Sequence, residues 1–250
     1  MEIDKIISRN FSHISEEYKK FAMEKDKCKF CSLYEQYEQV VQSEGNAKNP
    51  TFMMVGECPG QDEIEQGKPF IGKSGQRLRE ELRKYKNVFN RNTTIITNVL
   101  PCRPFKNSFP SKDNGPHKIA IDNVVSKNCL ESCHTTLVSC CINQWLRREI
   151  EILIPNIIVT LGSKALEYVR NETGVTNRRG TWKYLKEYKA WSMATFHPSY
   201  VIRCQNNDDR LDIVQDFVDD IEKVATTWHT LPHNERESRE KIDKFFRSYN

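Results

Sequence analysis

No apolar run in this chain reaches the ~18 residues that a membrane-spanning helix requires. The best candidate, residues 150–161, is broken by Glu151, Pro155 and Asn156. The opening, MEIDKIISRN, lacks the basic-then-apolar layout of a secretory signal. These absences exclude membrane and exported classes and lead us to expect a cytoplasmic or nucleoid-associated protein, not a secreted one. An excess of either charge is also missing: 38 Lys and Arg against 34 Asp and Glu leave +4. So small a surplus permits a polyanion partner where basic residues cluster, but does not demand one. The chain has nine cysteines, an odd number. Without an export signal, they point to metal or cluster ligation or to buried thiols, not to disulfides.

What is present suits a globular protein. The 250 residues are 38% hydrophobic and 29% charged, enough to bury a core without staples. Residues 1–27 read as a helical extension, with Ile3, Ile6, Ile7, Phe11 and Ile14 at steps that give one apolar face. From residue 51 the pattern alternates. Strands are expected at 51–56, 93–100, 157–161 and 190–196, and helices at 76–85, 142–153, 163–170 and 209–228. Short apolar strands between helices imply an α/β fold, three-layer α/β/α, with a central, mainly parallel four-stranded sheet. We place the main domain at 28–228, with an irregular insertion at about 103–140, and a charged, loose tail at 229–250.

Ligands of such sheets bind at the carboxyl ends of the strands, and three polar motifs fall there. The first, residues 56–78, reads GECPGQDEIEQGKPFIGKSGQRL. Gly56, Pro59 and Gly60 make a tight turn. The stretch Gly72-Lys73-Ser74 resembles a phosphate-binding Walker loop locally but is not read as one. Glu57, Asp62, Glu63 and Glu65 crowd one short loop. The second motif is TNVLPCRP from Thr97, in which Asn98 offers an acceptor and a donor pair to an amide edge. The third is His197-Pro198-Ser199. A histidine before proline is conformationally restricted, and as a neutral imidazole it can donate to a developing oxyanion.

Taken together and in this order, the motifs resemble those of the uracil-DNA glycosylases, in particular their iron-sulfur group, family 4. The similarity runs from CKFCSL at residue 28 through the GE-x-PG loop, TN-x-x-x-C-R-P and the third strand to HPS, roughly residues 28–204. It implies a DNA repair enzyme that hydrolyses the N-glycosidic bond of deoxyuridine. By resemblance, Phe70 stacks on the extruded base, Asn98 reads its edge and His197 bonds its O2. Glu57 and the backbone at Cys58 hold the attacking water, and Asp62 or Glu63 crowds the C5 side. The segment Tyr200 to Arg203 after Ser199 enters the duplex. From their place near a helix N-terminus, Lys73, Arg77 and Arg79 are expected either to grip phosphates or to form an exposed helix face. The implied partner is uracil-containing DNA, with no membrane, and the implied state is a monomer. A non-catalytic DNA-binding module with the same fold is the alternative, because Cys58 and the long insertion depart from the family pattern. A metabolite hydrolase that uses the same loop for phosphates is a third reading.

The resemblance also implies a four-cysteine site for a 4Fe-4S cluster, with zinc as the alternative. Cys28, Cys31 and Cys102 match directly. Cys141 is taken as the fourth ligand, with Cys140, Cys129 and Cys133 open as substitutes.

Overall fold

The computed structural model describes residues 2–29, 34, 37–110, 137–231 and 238–249. The strands are β1 (Phe11–Ile14), β2 (Glu44–Ala47), β3 (Phe52–Gly56), β4 (Thr94–Asn98), β5 (Ile157–Leu161), β6 (Trp182–Leu185) and β7 (Ala190–Thr195). They form one sheet in the order β1-β2-β4-β3-β5-β7-β6. The four strands expected from the sequence are its parallel centre, β4-β3-β5-β7. All their residues are buried, which is why they read as unbroken apolar runs.

The expected count of four is corrected to seven among the described residues. β2 runs antiparallel to β4 and carries β1 beside it in parallel, and β6 closes the other edge antiparallel to β7. The added strands have no apolar run to announce them. β2 is Glu-Gly-Asn-Ala, and it pairs because Gly45, at φ 124°, lets the backbones approach: a Cβ there would collide with the Thr94 carbonyl. The helical extension expected over 1–27 is likewise split, into α1 (Glu2–Asn10) and α2 (Glu16–Asp26) with β1 between them. Ser15 caps α2 by accepting from the Tyr18 amide at 3.1 Å, and Glu16 and Glu17 suit its first turn.

The remaining helices are α3 (Gln61–Gln66), α4 (Lys73–Lys84), α5 (Leu137–Ile142), α6 (Arg148–Leu153), α7 (Ser163–Arg170), α8 (Val175–Arg178), α9 (Pro198–Cys204), α10 (Leu211–Thr230) and α11 (Arg239–Tyr249). A π-helical turn, Asn143–Arg147, joins α5 to α6. The two sheet faces follow the period-two rule of a strand. Met53, Val55, Ile95 and Ile158 face a cluster that contains Phe21, Trp145 and Ile150. Phe52, Met54, Ile96, Val159 and Met193 face another, with Leu78, Phe217, Trp228 and Phe246. That makes three layers. The tail is not loose over 239–249: Phe246 is fully buried and stacks on Trp191 at 5.2 Å, and Ile242 is buried beside it.

One charged group lies deep in the first layer. Glu149 is fully buried and accepts from Lys25 Nζ and Thr97 Oγ1, each at 3.2 Å, and from the hydroxyls of Tyr18 and Ser43. Four donors satisfy both carboxylate oxygens, as a buried charge requires. The network ties α2, the segment before β2 and α6 to β4 one residue before Asn98.

Candidate active site

The carboxyl ends of the central strands lie level. Gly56, the last residue of β3, pairs with Asn98, the last of β4, and Leu161 pairs with Thr195. Above them is a cavity of about 90 Å³ lined by Cys58, Gly60, Glu63, Phe70, Ser74, Asn98, Asn107, His197 and Ser199. This is small beside the several hundred Å³ of a typical drug-sized pocket, so it suits one small ring. A larger cavity of about 210 Å³ lies against β2, β4 and α4. Arg79, expected to contact phosphate, lines it, but none of the residues assigned to the base or the attacking water does.

Phe70, Asn98 and His197, far apart in sequence, meet in the smaller cavity. The Phe70 and His197 ring centres are 6.2 Å apart with a 37° tilt. The Asn98 carboxamide and the Phe70 ring converge over Gly56, where a Cβ would strike both. Glycine is needed there because the ring and the amide occupy the space of a side chain.

His197 leaves β7 in an extended conformation, as a residue before proline must. Its Nδ1 accepts from the Ser199 backbone amide at 3.2 Å and lies 2.7 Å from Ser199 Oγ. A backbone N–H can only donate, so Nδ1 is unprotonated and the neutral ring carries its proton on Nε2. Burial, and then the charge of Arg203, lower the His197 pKa to about 4. The ring is therefore a neutral donor at physiological pH, although its edge is accessible from the cavity.

Glu57 sits between Gly56 and Cys58 and is half-buried, outside the cavity lining itself. Burial raises its carboxyl pKa, and the charge of Lys164 opposes that rise. Cys58 does line the cavity. Burial, reinforced by Glu57, holds its thiol far above the ordinary range, against the pull of Arg103. It stays a protonated thiol, a small wall and not a nucleophile. Glu63 is buried and its Oε1 accepts from the amides of Ile71 at 3.2 Å and Gly72 at 3.0 Å. Its carboxylate thus lines the cavity and fixes the loop after Phe70. Asp62 is exposed, close to Gly72.

The expected phosphate contacts divide. Lys73 and Arg203 are exposed outside the lining, and Arg203 lies 5.7 Å over the Tyr200 ring. Ser199 is committed to His197. Arg77 pairs with the buried Glu81 at 3.1 Å and covers the Phe217 ring. Arg79 turns inward onto the backbone at Phe70. These two are corrected from phosphate contacts to internal supports: four residues of helix bring Arg77 over Glu81, and Arg79 finds backbone acceptors. Two lining residues escaped the sequence reading. Ser74 lies in the GKSG stretch, whose resemblance to a Walker loop drew attention away from it. Asn107 lies where no hydrophobic period exists to place it.

Of the cysteine candidates, Cys28 and Cys102 are buried in the first-layer cluster, and Cys141 packs against it. Cys140 is buried but belongs to neither apolar cluster. Cys31, Cys129 and Cys133 lie outside the described residues. Among the described residues, no three Cys, His, Asp or Glu side chains are gathered to hold a metal ion.

An α/β sheet with an aromatic ring, a carboxamide and a neutral imidazole around one ring-sized cavity defines a base-binding protein class. The profile of the uracil DNA glycosylase superfamily matches residues 42–222, and the chain belongs to that superfamily. It is similar to the type-4 uracil-DNA glycosylase of Sulfurisphaera tokodaii, 32% identical over 69% of this chain and 70% of the relative. The type-4 uracil-DNA glycosylase of Thermotoga maritima is 31% identical over 76% and 86%. That of Archaeoglobus fulgidus is 30% identical over 70% and 78%. No helix among the described residues is long and apolar enough to cross a membrane.

Proposed function

We propose that this protein is a DNA repair glycosylase that hydrolyses the N-glycosidic bond of deoxyuridine in DNA, releasing uracil and leaving an abasic site. The observation that carries the reading is the convergence of Phe70, Asn98 and His197 on one cavity of base size. The names of the relatives support it.

Chemistry on a base needs the nucleotide extruded from the stack, which costs a few kcal/mol. Stacking on Phe70 returns ~1–3 kcal/mol of that. Asn98 supplies a carboxamide for the base edge. As the C1′–N1 bond breaks, its electron pair leaves with uracil N1 and charge spreads to O2. His197 Nε2–H donates to that oxygen, and because the ring is already neutral it stabilises the anion without losing its proton. Water forms the new bond to C1′, and its proton passes to the Glu57 carboxylate, whose raised pKa suits a base. Glu63 and the Cys58 side chain narrow the cavity against a larger base. Exposed Lys73 and Arg203, with Ser199 beside the pocket, would face the DNA backbone.

For the cofactor we propose a 4Fe-4S cluster held by Cys28, Cys31, Cys102 and Cys141, with zinc as the alternative. The support is chemical: soft thiols at Cys28 and Cys102 lie in one apolar cluster and Cys141 packs against it, which favours Cys141 over Cys140. Bound there, the cluster would cross-link the N-terminal segment to the chain after β4, a structural and not a redox role. We place the enzyme as a monomer acting on DNA in the cytoplasm or nucleoid. Its catalytic domain would span 28–228, with the insertion at about 103–140.

The test is a uracil-containing oligonucleotide incubated with anaerobically purified full-length protein, then alkali. Strand breakage that is lost in His197→Ala and in Asn98→Ala is expected, with about four irons per chain by elemental analysis. DNA binding without breakage by iron-loaded protein would overturn the reading in favour of a non-catalytic module. Activity on free nucleotides with indifference to DNA would overturn it in favour of a metabolite hydrolase.

A further inference from the structure

Phe70 has a backbone φ of 55°, in the left-handed region. Bulky residues rarely adopt it and keep it only where their surroundings over-determine it. Those surroundings are explicit here. Arg79, on α4, donates from Nε to the Phe70 carbonyl at 2.9 Å and from Nη2 to the Pro69 carbonyl at 3.1 Å. Glu44, on β2, pairs with the same guanidinium, and Lys68 approaches Glu44 at 3.8 Å. On the other side, Glu63 holds the amides of Ile71 and Gly72. Gly75 lets the first turn of α4 lie directly against residue 70, where a Cβ would collide with the Phe70 backbone. The two carbonyls at 69 and 70 and the two amides at 71 and 72 are therefore all held, and the ring between them has its direction set.

We propose that Arg79 and Glu44 are positioning residues for base recognition: an ion pair outside the catalytic cavity that locks the left-handed turn and aims the Phe70 ring at the extruded base. The planar fork of a guanidinium reaches two carbonyls and a carboxylate at once, and a lysine ammonium, a single point charge, cannot reproduce that planar reach. The inference rests on the base-stacking role assigned to Phe70 above. A ring that stacks equally on the bound base and on the departing base contributes uniform binding. Its loss raises KM and leaves kcat nearly unchanged.

The test uses the full-length protein and a single-stranded uracil oligonucleotide. Arg79→Gln is expected to raise KM about three- to tenfold with kcat within about twofold, and Phe70→Ala to raise it further. Arg79→Lys and Glu44→Gln, which disturb the fold least, should fall between wild type and Arg79→Gln. On the Phe70→Ala background, Arg79→Gln should add little, because both changes remove the same contact. An unchanged KM in all three clamp variants, or a penalty that adds in full to that of Phe70→Ala, overturns the proposal. A second readout needs no turnover. With 4-fluorophenylalanine placed at residue 70, the fluorine resonance should be single and sharp in the parent and shifted or broadened in Arg79→Lys and Glu44→Gln. An identical spectrum overturns the clamp. If the parent enzyme releases no uracil, the functional reading fails, and the fluorine spectrum still decides the clamp.

Discussion

The protonation state of His197 is open to a direct measurement that an ordinary surface histidine would fail. Its pKa is lowered from 6.5 to about 4 by burial and by Arg203. At pH 5.5 a histidine with a pKa of 6.5 is about 90% cationic, whereas His197 should be about 3% cationic. The Ser199 amide fixes the tautomer by donating to Nδ1, so the proton lies on Nε2 at every pH from about 5 to 9. Nitrogen-15 spectra of histidine-labelled protein, with His197 assigned by its loss in His197→Gln, should show an acceptor-type Nδ1 and a donor-type Nε2 at pH 5.5. Stability follows the same shift. Between pH 6.5 and about 4 the unfolded chain takes up this proton and the folded chain does not, so this contribution is complete above pH 6.5 and is lost as pH falls toward 4. Ser199→Ala removes the hydroxyl beside Nδ1 but keeps the amide. A net hydrogen bond of about 0.5–1.5 kcal/mol predicts a loss of roughly two- to tenfold in single-turnover rate. A cationic His197 at pH 5.5, or a proton on Nδ1, would refute the neutral-donor argument outright.

Three further outcomes follow from other parts of the structure. The carboxyl of Glu57 is raised from 4.5 by burial. Single-turnover rate should therefore climb with pH along an acid limb centred above that value, and Glu57→Gln should abolish the limb and slow excision by about 10²–10⁴. Glu149→Ala leaves Lys25 buried without its counter-charge. It should cost about 3–5 kcal/mol in urea unfolding, and a cost below about 1 kcal/mol would contradict the network described here. Phe246→Ala should cost about 3–5 kcal/mol and lower the thermal midpoint, because α11 closes the second layer. A surface-like cost would return that segment to the status of a loose tail.

How far the fold was legible depends on where the information sits along the chain. β3, β4, β5 and β7 are buried on both faces, so their composition alone marks them, and helix Ser163–Arg170 was expected with its observed bounds. Phe70, Asn98 and His197 were legible because Asn98 ends such a strand, His197 comes two residues after one, and Phe70 belongs to the polar motif that begins at the end of one. β2 was not, since Glu-Gly-Asn-Ala is a strand only by virtue of the backbone it lies against. α11 left a faint signal, Ile242 and Phe246 one helical turn apart, which the flanking charges obscured. Arg79 shows the deeper limit. A row of basic residues at the start of α4 has the same appearance whether it faces DNA or the protein interior, and only the positions of the Phe70 and Pro69 carbonyls separate the two. A motif can thus identify the side chains that touch a base, whereas the residues that aim them come from a strand and a helix face without local pattern. The left-handed turn at Phe70 joins the two kinds: a motif residue keeps an unfavourable conformation because Glu44, on an unannounced strand, holds the arginine that holds it.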